Sequence, residues 1–66
     1  MTKSELKIGM RVFHTNRCQF GTVYSLNTGD FTSCEVDFDQ SDAYGTAEGD
    51  YGVNEISVSL LEKAKE

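Results

Sequence analysis

The run Cys34-Glu35-Val36-Asp37-Phe38 alternates apolar and acidic residues without a break. A period of two puts every apolar side chain on one face of an extended strand and every carboxylate on the other. No helical period of comparable length competes with it. The same alternation begins at Ile8, Met10 and Val12, with Arg11 and Phe13 on the opposite face, and predicts a first strand over 10–14. A second strand is expected over 20–26. Its apolar residues Val23 and Leu26 are three apart, a step that predicts a β-bulge near Tyr24 and Ser25. Asn27-Thr28-Gly29-Asp30 reads as a turn, because Asn and Gly tolerate positive φ. A fourth strand is expected over 53–58, with Ile56 and Val58 on one face. A tight turn at 59–61 and a short last strand, Leu61-Glu62-Lys63, follow. Thr2 and Glu5 have capping-box spacing, enough for one turn.

Five short strands and little helix define an all-β chain. At 66 residues it is one domain with a small core. The expected divisions are a flexible lead-in over 1–6, the sheet over 7–63 and a frayed tail over 64–66. Such a sheet deals with its edges by curling into a barrel. Residues 39–52 hold three of the six glycines, four acids and two tyrosines, and are expected to be a long loop or to hide a short hairpin.

The net charge of −5 is unevenly spread. Residues 1–29 carry Lys3, Lys7, Arg11 and Arg17 against Glu5, a net +3. Residues 30–55 carry eight acids and no Lys or Arg. Binding to nucleic acid depends on cations that neutralise phosphates, so the balance argues against a general nucleic-acid binder. The acidic half suits a partner with a basic surface, steered by charge. No apolar run is long enough to span a membrane. Met1 to Met10 lacks the apolar stretch of a signal peptide. A cytoplasmic location with Cys18 and Cys34 as reduced thiols is the expectation.

The stretches "KIGMRVFH", "FGTV" and "CEVDFD" resemble the small SH3-like barrels of the Tudor and KOW type. The nearest pattern is the C-terminal Tudor-like domain of UvrD/PcrA-type helicases, matched at Gly9, Val12, His14, Phe20 to Val23, Val36 to Phe38 and Leu61 to Lys63. The resemblance implies a five-stranded SH3-like barrel with a long acidic loop, serving as a docking module, in that family for RNA polymerase. Where that domain is basic after its third strand, this chain is acidic. The opening and close are also similar to plasmid-type trimethoprim-resistant dihydrofolate reductase. The Gln-Ile-Tyr segment of that enzyme is replaced here by Asn54-Glu55-Ile56-Ser57.

The expected function is therefore a non-enzymatic protein-interaction module. Its partner-binding residues are Asp37, Asp39, Asp42, Tyr44, Asp50 and Tyr51, acids for steering and tyrosines for anchoring area. Two alternatives stand beside it. One is a nucleic-acid-binding barrel of low affinity using Arg11, His14, Arg17 and Phe20. The other is an acidic mimic of DNA that inhibits a DNA-binding protein. Strand edges leave homodimerisation open. Asp37, Asp39, Ser41 and Glu48 match four positions of a calcium loop, but Asp42 stands where its turn needs Gly. Phe13, Tyr24, Phe38, Tyr44 and Tyr51 are the rings from which a cation-binding cage would be drawn. No metal or cofactor is expected, and His14 reads as a strand-end residue with local hydrogen bonds.

Overall fold

The computed structural model describes residues 2–39 and 52–64. They form five antiparallel strands: β1 (Arg11–His14), β2 (Gln19–Ser25), β3 (Ser33–Phe38), β4 (Gly52–Ser57) and β5 (Leu61–Lys63). The order across the sheet is β4-β3-β2-β1-β5. Strands β1 to β4 run as a meander, and β5 returns to pair with β1. Two 3-10 turns, Lys3–Glu5 and Val58–Leu60, complete the regular structure among the described residues. Among the described residues, no helix is long and apolar enough to cross a membrane.

Strand β3 follows its sequence pattern. Cys34, Val36 and Phe38 are buried and Asp37 is exposed. The bulge in β2 is also where the three-residue step places it: the register with β3 shifts between Val23 and Ser25. The turn before β3 contains Gly29 at φ 78°. Lys3 ties that turn to the first 3-10 turn by donating from Nζ to Thr28 Oγ1 (3.1 Å) and to the Asp30 carbonyl oxygen (2.6 Å).

The first strand departs from expectation. Val12 is fully buried and Met10 packs on the core, but Ile8 is 70% exposed. Gly9 lies at φ 90°, so the chain turns there and the two-residue alternation does not cross it. Leu6, expected in the flexible lead-in, takes the inward place at 4% exposure. The core cluster is Leu6, Val12, Val23, Cys34, Val36, Phe38, Val58 and Leu61. Both 3-10 turns contribute to it, Leu6 just past the first and Val58 from the second.

Gly21 sets how closely β2 and β3 approach. A methyl group placed on it would lie 2.5 Å from Val36 Cγ1 and 3.0 Å from the Asp37 carbonyl oxygen. Phe38 lies between Gly21 on β2 and Gly52 on β4 in the ladder, so its ring has no bulky cross-strand neighbour. Gly21→Ala is expected to destabilise the chain by about 1–3 kcal/mol through overpacking. Each kcal/mol lowers Tm by about 4–8 °C in a domain of this size. Thermal unfolding followed by circular dichroism measures it, and an unchanged Tm would contradict the close approach.

Candidate docking surface

The ladder registers lay out the outer face of the sheet. Glu62 is opposite Phe13, and Phe13 is opposite Phe20. In the next row Arg11 faces Thr22, Thr22 faces Asp37, and Asp37 faces Val53. Glu35 lies directly opposite Glu55. The rings of Phe13 and Phe20 meet with centroids 5.0 Å apart and planes tilted by 59°. With Glu62 and Lys63 they line a shallow recess of about 230 Å³.

Asp39, the residue after the end of the β3 ladder, is held from three directions. Its carboxylate accepts from both Arg11 guanidinium nitrogens, at 2.9 and 2.7 Å. Its backbone N–H donates to the Phe20 carbonyl oxygen at 3.0 Å. Its own carbonyl oxygen accepts from Gln19 Nε2 at 2.7 Å. Gln19 is fully buried, so this bond satisfies an amide that would otherwise be costly inside the sheet. The Arg11 hydrogen bonds hold the Asp39 carboxyl below its ordinary value, against a smaller opposing effect of burial. Both side chains keep more than a third of their surface in water. The pair is therefore worth about 0.2–1 kcal/mol, with the upper end favoured by its bidentate geometry.

His14 faces inward and is 3% exposed. Its Nδ1 accepts the Arg17 backbone N–H at 3.0 Å, the local bond expected of a strand-end histidine. A neutral ring accepting at Nδ1 carries its proton on Nε2. Burial, and next the Arg17 charge, push the imidazole below 6.5. The ring meets Phe38 edge-on at 5.8 Å, and the Arg17 guanidinium lies over Phe38 at 4.2 Å. Cys18, the last residue of the turn between β1 and β2, has φ 51°, a rare left-handed conformation for a non-glycine residue.

Residues of the two rival sequence sets thus meet in one ion pair. Arg11, from the basic set, is bound to Asp39, from the acidic set. Phe20 shares their outer face. His14 is on the inner face, and Arg17 packs on a core ring, so the basic set is not one surface. Asp37 is exposed on the outer face. Asp42, Tyr44, Asp50 and Tyr51 lie outside the described residues, as do Ser41 and Glu48 of the calcium pattern. The cage rings are divided: Phe38 is in the core and Phe13 is on the opposite face. Sequence reasoning missed the opposition of Glu35 and Glu55 and the burial of Gln19. Both depend on strand register, which a two-residue period leaves open. Among the described residues, no three His, Cys, Asp or Glu side chains are grouped to hold a metal ion. Both cysteines are free thiols, and burial raises the Cys34 pKa.

The chain matches no family model, no curated protein and no solved structure.

Two pH effects are expected. The Asp39 pKa is lower folded than the unfolded value near 3.8. The Arg11–Asp39 contribution is therefore complete above that value and lost as pH falls through the folded pKa. The difference in urea midpoint between the native chain and Asp39→Asn should shrink from about pH 6 to about pH 2. A difference independent of pH would remove the ion pair as its cause. Neutral buried His14 contributes stability that is complete above 6.5 and declines as pH falls toward its folded pKa. Its NMR titration midpoint is expected below 6.5, and a midpoint above that would contradict the buried neutral ring.

Proposed function

We propose that the chain is a non-enzymatic protein-interaction module that docks through its acidic half on a partner with a basic surface. In this reading the sheet is an SH3-like barrel of the Tudor and KOW type, working in the cytoplasm on a protein of the transcription, replication or repair machinery. The short link of β4 to β5 supports the barrel: the three residues Val58–Leu60 join strands at opposite edges of the sheet, which favours a curled sheet, although β4 and β5 are not paired with each other among the described residues. The resemblance to helicase-associated domains supports RNA polymerase as one such partner.

The observation that carries the docking reading is the Arg11–Asp39 pair. It engages the guanidinium on the aromatic face with a carboxylate of the chain itself. Around it stand Glu35, Asp37, Glu55 and Glu62 against Lys63, so the outer face keeps an acidic excess. A phosphate backbone would have to displace Asp39 and approach these carboxylates, which disfavours the nucleic-acid alternative. A basic protein surface gains from them in encounter rate. Asp37 and Asp42 are expected to steer, and Tyr44 and Tyr51 to anchor.

The test is capture of partners from nuclease-treated lysate across a salt series. Asp37→Lys with Asp42→Lys is the steering variant, since Asp39 also has a structural bond to keep. It should slow association by about tenfold or more at low salt. Tyr44→Ala with Tyr51→Ala should lose the partner altogether. Retention of the same partner by both variants would exclude this surface, and recovery of nucleic acid alone would favour the basic alternative.

A further inference from the structure

Strand β4 is an edge of the sheet, and among the described residues it pairs with β3 alone. Its inward side chains Asn54 and Ile56 are half-buried, whereas the inward residues of β2 and β3 are all buried. Among the described residues, the inner face is thus incompletely covered on this side. On the outer face Glu55 stands directly opposite Glu35. Like charges in direct cross-strand opposition are destabilising. Ser33 Oγ donates to Glu55 Oε2 at 2.7 Å and eases one of the two carboxylates.

An edge strand presents backbone groups to any further strand. A second copy is a poor occupant here. Two antiparallel β4 strands with matched inner faces would place their Glu55 side chains directly or diagonally opposite, beside both Glu35 carboxylates. The net charge of −5 adds to that repulsion. A basic side chain at the same outer position would instead complete a row of Glu35, Glu55 and cation. Apolar residues on either side of it would extend the inner rows that end at Asn54 and Ile56.

We propose that β4 accepts an extended segment of the partner as a sixth strand, with Lys or Arg opposite Glu55 between two inward apolar residues. The inference rests on the reading that the partner is basic, and it adds where and in what form that partner binds.

The test uses the full ¹⁵N-labelled chain and two capped peptides, Ser-Val-Lys-Val-Ser and the same peptide with Glu for Lys. The expected result is shifts confined mainly to β4, slower exchange of alternate β4 amides, and about a five- to tenfold preference for the Lys peptide. Glu55→Lys should reverse the preference. Glu55→Gln, which leaves the fold least disturbed, should abolish it. The inference is overturned if alternate β4 amides do not exchange in the peptide-free chain, if β4 does not respond, or if Glu55→Gln leaves the preference intact. Shifts at Asp37 and Asp39 without β4 would overturn the edge but leave the acidic docking surface standing. Absence of binding to either peptide overturns the edge, and the lysate capture then judges the docking reading by itself.

Discussion

The close approach of β2 to β3 at Gly21 is the constraint from which the rest follows. Val36 Cγ1 fills the place a side chain at Gly21 would need. With β2 bare at that point, Phe38 settles beside it in the ladder, and His14 and Arg17 close over the Phe38 ring. The core formed by the described residues has eight buried apolar side chains and is small, so a single misplaced methyl is a large fraction of its order. The position of Phe38 also fixes where β3 ends, and so where Asp39 stands relative to Arg11.

That second consequence joins folding to function. The sequence divides into a cationic first half and a strongly anionic second half. The sheet brings one member of each into a bidentate pair while Asp39 also bonds to β2 through its backbone. The pair contributes little to stability because water reaches both partners. Its larger effect is on the character of the face. A ring pair that could have been flanked by an available guanidinium is flanked instead by an internally matched pair and a surplus of carboxylates. That surplus includes Glu35 and Glu55, which oppose each other with no cation between them among the described residues.

Much of the fold was legible in local pattern. The alternation at Cys34 to Phe38, the three-residue step at Val23 and Leu26, and the turn at Gly29 each follow from backbone geometry that neighbouring residues impose. Ile8 was misread because one glycine at positive φ ended the alternation that the letters continue. Leu6 was misread because a short turn looks loose until the sheet it packs on is known. The candidate site was less legible. Acidic Asp37 and Asp39 could be placed on a strand exit, but the capture of Arg11 by Asp39 joins residues 28 positions apart. His14 reads as an ordinary polar strand end, but in the sheet it sits between Gln19 and Leu61, meets the Phe38 ring and accepts from Arg17. Cross-strand opposition of two glutamates is a fact of register, and register is decided by the whole sheet.

The exposed charge of this fold is proposed to recognise cations and not phosphates. The most direct measurement is fluorescence anisotropy of labelled oligolysine and labelled oligothymidylate, each titrated with the native chain over a salt series. Oligolysine is expected to bind with an affinity that falls as salt rises, and oligothymidylate is expected not to bind at any salt concentration. Oligothymidylate binding with a steep salt dependence, together with indifference to oligolysine, would contradict it.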